Sequence, residues 1–168
     1  MAVVDLTELP ALLPRYSALI GLDLGEKTIG VAVSDVTRMV GSPLELIRKT
    51  KFTAEANRLF ALIDEREVGA IVIGLPVNMD GTEGTRCQSN RAFARNLLRL
   101  RDIPIAFWDE RMSTMAVNRV LVEEADVTRA RRAELVDKMA AAWILQGALD
   151  RLTRMEAAAA DAADPDQP

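Results

Sequence analysis

Residues 18–35, ALIGLDLGEKTIGVAVSD, constrain this chain more than any other stretch. They read as two short apolar strands joined by a tight turn at Gly25-Glu26-Lys27, with one carboxylate, Asp23, inside the first strand. Strand side chains alternate between faces, so Leu22 and Leu24 share one face while Gly21, Asp23 and Gly25 share the other. An unpaired carboxylate in an apolar setting is costly and has to be neutralised, paired or bound to a metal. Glycines on either side of the acid leave room for a bulky group to approach it. The structural alternative is that Asp23 pairs with a Lys or Arg, or caps the turn.

What the chain lacks narrows the chemistry. There is no histidine, which removes Ser-His-Asp and Cys-His catalysis and any His-ligated zinc. Cys87 is the only cysteine, so neither an internal disulfide nor a cysteine metal cluster can form. The common glycine-rich phosphate loops are absent as well. Carboxylates holding a hard ion such as Mg2+ or Mn2+ are the best chemistry left for an enzyme.

At 168 residues, 49% hydrophobic and 27% charged, the chain fits one globular domain with a real core. No apolar run approaches the ~20 residues of a membrane helix, and no membrane partner is expected. The N-terminus, MAVVDLTELPALLPRYS, has no early basic region and carries Asp5 and Glu8, unlike a secretory signal. A cytoplasmic location is the expectation. The net charge of −4 is carried by the end of the chain: setting aside Glu156, Asp161, Asp164 and Asp166 leaves 21 acids against 21 bases. Global charge therefore does not decide between partners.

Residues 1–17, with Pro10 and Pro14, read as an N-terminal extension, 18–155 as the folded domain, and 156–168 as an acidic disordered tail. After the two opening strands a third is expected near 43–48, making an antiparallel meander. The period then changes. Ala56, Leu59, Phe60 and Ile63 predict an amphipathic helix over 53–67, and AIVIGL (70–75) reads as a buried parallel strand. The loop PVNMDGTEG follows. Thr85 and Gln88 fit a capping box opening a helix that buries Phe93, Leu97 and Leu100. IPIAFW (103–108) is the next strand, ending at Asp109-Glu110-Arg111. Helices are expected at 113–122, capped by Ser113, and at 129–155. The order predicts an α/β layer fold, a mixed sheet covered by helices.

Sites in such sheets gather beyond the carboxyl ends of the parallel strands. Asp23 lies near one such end and Asp109-Glu110 at another. On the last helix Ala133, Asp137, Ala140, Ala141, Ile144 and Ala148 share a stripe, which places Asp137 toward the sheet. Three acids from distant segments are a plausible cage for two divalent ions acting on a phosphodiester. From spacing alone, Asp137 paired with an arginine and Asp109-Glu110 starting a helix turn is an equal reading.

GLDLGEKTIGVAVSD, GLPVNMDGTEG, FWDERMST and VDKMAAAWILQGALD, in that order, resemble the YqgF (RuvX) family across about residues 18–150. The resemblance implies an RNase H-like fold similar to the RuvC resolvases. It implies a nuclease that matures the 5′ end of precursor 16S ribosomal RNA, with resolution of Holliday junctions in branched DNA as the alternative. By match, Asp23, Glu110 and Asp137 answer the family's acids. RuvC-like enzymes also carry an acid in the fourth strand, and AIVIGLP has none. Either Glu110 reaches in from the neighbouring strand end, or Asp80 supplies the charge from its loop. Glu110 is preferred to Asp109 because it reaches farther, leaving Asp109 to order Arg111 or the turn.

For substrate, Lys27 and Arg111 stand beside the acids. Arg91, Arg95 and Arg99 form a basic stripe that reads first as a solvated helix face and second as a phosphate track. Arg129, Arg131 and Arg132 bunch at the start of the last helix. Asn78 holds either substrate or its own turn. With no aromatic stacking platform, reading of single-stranded bases is not supported. A symmetric homodimer would suit a four-way junction. The other classes considered are a non-catalytic ribosome-assembly factor and an actin-like ATP-binding module, the latter needing two such domains.

Overall fold

The computed structural model describes residues 3–112 and 128–163. Six strands form one sheet: β1 (Val3–Val4), β2 (Ala18–Leu24), β3 (Thr28–Ser34), β4 (Gly41–Arg48), β5 (Val68–Leu75) and β6 (Ile105–Asp109), in the spatial order β1-β6-β5-β2-β3-β4. The meander is as the alternating pattern predicts. β2 and β3 run antiparallel with Asp23 opposite Gly30, and the turn closes through the Gly25 N–H donating to the Thr28 carbonyl at 2.9 Å. β4 adds antiparallel to β3. On the other side β5 pairs parallel with both β2 and β6, which explains its uninterrupted apolar run.

Each face of the sheet builds its own core. Ile20, Leu22, Leu24, Ile71 and Ile73 pack toward α2 (Phe52–Glu65) and α3 (Thr85–Leu100), through Leu59, Ile63, Ala94 and Leu97. Leu19, Val72, Ala106 and Trp108 pack instead against Ala140, Ala141, Ile144, Leu145 and Ala148 of the C-terminal helix, Arg129–Ala163. Alternation along β2 thus puts Gly21 and Asp23 on the C-terminal helix face. An antiparallel meander followed by parallel strands on its inner side, with helices on both faces, is the RNase H-like arrangement.

Four local expectations differ. The N-terminal extension belongs to the domain: Val3 and Val4 pair parallel with Ile105 and Ala106. Leu6 and Leu9, in the 3-10 turn Leu6–Glu8 and the short helix α1 (Leu9–Leu12), are buried under the sheet edge. The C-terminal helix continues past Met155 into the supposed tail as far as Ala163, because its alanines are the strongest helix formers. The Thr85–Gln88 capping box is not made; Gly84 is the N-cap of α3 and offers no side chain. Leu100 faces solvent, its buried role taken by Cys87, Asn90 and Ala94 on the inner face. The helix expected at 113–122 lies outside the described residues.

Candidate functional site

Asp23 is half-buried near the end of β2, facing the C-terminal helix. Its cross-strand neighbour Gly30 is the seat on which that helix rests. A Cβ at Gly30 would lie 3.5 Å from Asp23 Cβ, 3.3 Å from the Asp137 carbonyl oxygen and 3.4 Å from Ala141 Cβ. The absence of a side chain there brings the helix backbone at Asp137 down beside Asp23.

Glu110 follows β6 as the first residue of the 3-10 turn Glu110–Met112. Its carboxylate reaches back over β5: a Cβ at Gly74 would stand 2.8 Å from Glu110 Oε1 and 2.5 Å from Ile144 Cδ1. Gly74 pairs with Trp108 and directly follows Ile73, the partner of Leu22. Glu110 is therefore drawn across β5 toward β2, on the same face as Asp23. Asn90, buried on α3, donates to the Gly74 carbonyl at 2.9 Å and fixes this end of β5 from the opposite side. Sequence reasoning missed Gly74, although a glycine inside an apolar strand is itself a signal of close approach.

Asp109 is engaged elsewhere. It accepts hydrogen bonds from Arg111 N (2.9 Å), Nε (3.1 Å) and Nη2 (2.7 Å), and the guanidinium holds its carboxyl below the usual aspartate range. Arg111 also donates from Nη1 to the Met79 carbonyl at 3.4 Å, tying the loop 76–84 to the end of β6. Within that loop, exposed Asp80 accepts from the Thr82 N–H (2.9 Å) and hydroxyl (2.6 Å), which lower its pKa. Asn78 donates to the Thr82 carbonyl from its backbone and to the Thr82 hydroxyl from Nδ2. Asn78 and Asp80 thus build the loop, and Asp80 is committed to it rather than brought to the three acids.

Asp137 departs from its expected orientation. Its side chain is exposed, as is Ala133, and burial of the helix stripe begins only at Ala140. The spacing identifies the right face, but the sheet does not cover that face along its whole length. Among the described residues, no group of three or more His, Cys, Asp or Glu side chains is close enough together to hold a metal ion. The structure gathers the three acids to one end and one face of the sheet without closing their oxygens around a common point. Their chemistry suits hard ions such as Mg2+ or Mn2+, and closure asks the exposed Asp137 carboxylate and the long Glu110 side chain to turn inward.

The cations divide into groups. Lys27 is exposed at the hairpin tip. Arg129 and Arg132 line a cavity of about 400 Å³ with Ala133, Val136 and Asp137. Arg91 is not part of an open track: it pairs with Glu83 through Nε (2.7 Å) and Nη2 (3.0 Å), and stacks over Phe107 at 4.9 Å. Arg95 and Arg99 are exposed on the same helix.

The sheet order, with an antiparallel meander, parallel strands added beside β2 and helices on both faces, gives the chain an RNase H-like fold. The chain belongs to the RuvX family, described as Holliday junction resolvase, whose profile matches residues 17–151. A Phenylobacterium zucineum (strain HLK1) protein, provisionally named a pre-16S rRNA nuclease, is 78% identical over 156 residues, 92% of this chain and 100% of the relative. A Caulobacter vibrioides (strain NA1000 / CB15N) relative with the same name is 67% identical over 153 residues, 90% of this chain and 98% of its own. Among solved structures, T. thermophilus RuvC in complex with a Holliday junction substrate matches with a TM-score of 0.49 at 11% identity, covering 83% of this chain and 96% of that one. No helix among the described residues is long and apolar enough to cross a membrane.

Proposed function

We propose that this protein is a divalent-metal-dependent endonuclease that hydrolyses phosphodiester bonds at the 5′ end of precursor 16S ribosomal RNA, in the cytoplasm. The observation that carries the reading is the seating of Asp23: Gly30 lets the helix backbone at Asp137 down beside it, and Gly74 leaves the space through which Glu110 reaches toward it. Glycine at both points favours convergence of acids over a well-filled core. The RNA assignment rests on the names of the relatives that are 78% and 67% identical.

Asp23, Glu110 and Asp137 are the residues that would hold the metal, two ions in this reading. Bound there, Mg2+ or Mn2+ would supply charge stabilisation to a reacting phosphate. The chain's own residues orient the substrate. Lys27 and the Arg129–Arg132 pair offer cations to the flanking phosphates, and Asn78, through the loop it braces, shapes one wall. Arg111 anchors that wall to Asp109, so its first role is to hold the loop in place. Without histidine, no side chain here is an evident neutral-pH general base.

The second reading, a resolvase acting on four-way DNA junctions, is favoured by the description of the matching family. Cleavage of a labelled precursor 16S 5′ leader, beside a four-way DNA junction, with Mg2+ or Mn2+, separates the two. Metal-dependent cutting of the RNA, lost in Asp23→Asn, supports the proposal. Cutting of the junction alone selects the resolvase.

A further inference from the structure

The end of the sheet that carries Asp23 also carries three cations, Arg48, Lys49 and Lys51, that have no part in the site and lie near Lys27. Thr28 pairs with Arg48, and the Lys49 N–H donates to the Lys27 carbonyl at 2.9 Å. The backbone therefore brings Lys27, Arg48 and Lys49 to one end of the β3–β4 pair, Arg48 on the C-terminal-helix face and Lys27 and Lys49 on the other, with Lys51 close by at the N-cap of α2. All four residues are exposed, and none makes an ion pair among the described residues.

The neighbouring acids do not balance them. Glu55 is turned inward, 7% exposed, and accepts the Thr50 N–H at 3.0 Å. Glu45 is engaged by Arg58 at 2.6 and 2.8 Å. Glu26, exposed in the turn, is the acid left beside the four cations. Like charges gathered this way repel one another and are relieved by an anionic partner.

Position tells what that partner is doing. The C-terminal helix lies over the sheet with Leu145 against Gly41 and Asp137 against Gly30. Followed in the same direction, toward its first turn, it carries Arg132 and Arg129 toward the end of the sheet where Lys27 and Arg48 lie. Both basic groups thus lie toward the same end of the sheet as Asp23 and Asp137.

We propose that Lys27, Arg48, Lys49 and Lys51 form a docking ridge for the phosphodiester backbone of the nucleic-acid arm flanking the cleaved bond. The proposal rests on the nuclease reading above. A ridge of exposed Lys and Arg side chains grips phosphates without reading bases, so it positions the substrate and contributes a salt-dependent share of its affinity.

The test uses the full-length protein with the precursor leader RNA and a four-way DNA junction, binding being followed by fluorescence anisotropy over a salt series. The variant is Arg48→Ala/Lys49→Ala/Lys51→Ala, with Lys49→Ala/Lys51→Ala as a milder version outside the strand. Arg66→Ala/Arg154→Ala is the control on exposed positions elsewhere. Each lost phosphate contact removes roughly 0.7–0.9 from the slope of log K against log salt, so the triple variant should be shallower by about 2 to 3 and the double by about 1.5. KM should rise about tenfold near 0.1 M salt, while kcat stays within about twofold. A slope change with either nucleic acid supports the ridge and names the arm it holds. Wild-type slope and KM in the triple variant, or an equal loss in the control, overturns the ridge and leaves the nuclease reading standing. If the wild type neither binds nor cuts either substrate, the nuclease reading fails and the ridge with it.

Discussion

Glu110 and Gly74 belong to different segments yet contend for the same space: a Cβ on Gly74 would stand 2.8 Å from Glu110 Oε1. The carboxylate crosses β5 where the strand has no side chain to stop it. This is how an acid attached after β6 comes to lie over β5, the strand that pairs with β2.

Gly74→Ala should therefore harm activity more than the fold. The added methyl meets Ile144 Cδ1 at 2.5 Å as well as Glu110, an overpacking that costs about 1–3 kcal/mol. Urea unfolding should show that loss. Cleavage, measured where both proteins are fully folded, should fall by at least about tenfold, since a misplaced catalytic group of about 1 Å can cost more than that. Wild-type cleavage by the variant would mean that Glu110 does not act from over Gly74.

Leu9→Ala should cost about 2–5 kcal/mol, the usual loss for a fully buried leucine; Leu9 is 0% exposed. Leu12→Ala, three residues on and 40% exposed, should stay within about 0.5 kcal/mol. Denaturation midpoints of the two variants check whether the first dozen residues are part of the domain. Equal small effects would return them to the status of an extension.

Asp35 supplies a pH test. Its carboxylate accepts the Thr37 hydroxyl and the N–H groups of Met39 (2.9 Å) and Val40 (3.0 Å), and its pKa is lowered to about 2, the Thr37 bond contributing most. An ordinary aspartate in the unfolded chain titrates near ~3.9. A lowered folded-state pKa means that the stabilisation is fully present above ~3.9 and is lost as pH falls through about 2. The stability gap between wild type and Asp35→Asn should therefore narrow from about pH 4 to about pH 2 in urea unfolding. A gap independent of pH would contradict the assignment.

The features of this fold differ in how plainly local sequence pattern encodes them. The position of Asp23 was legible because a period of two assigns every residue of β2 to a face. The buried parallel strand β5 was legible from its unbroken apolar run, and the greater reach of Glu110 from side-chain length. The pairing of Val3 and Val4 was not, because two residues show no period. The alanine-rich end of the last helix was misread because low complexity suits disorder and helix alike. The outward turn of Asp137 was hidden because helical spacing gives a face but not where the sheet stops covering it. The stripe of Arg91, Arg95 and Arg99 reads as a solvated face, or secondly a phosphate track, and the pairing of Arg91 was hidden because its partner Glu83 stands eight residues away, across the start of α3.

The proposed divalent-ion site joins Asp23, Glu110 and Asp137, which lie toward one end and one face of the sheet. The most direct measurement is Mn2+ binding by isothermal titration to the wild type, Asp23→Asn, Glu110→Gln and Asp137→Asn, with circular dichroism confirming that each variant is folded. Each substitution should weaken binding by about tenfold or more, as loss of a charged oxygen ligand does. Wild-type Mn2+ affinity in Asp23→Asn or Asp137→Asn would contradict the shared site.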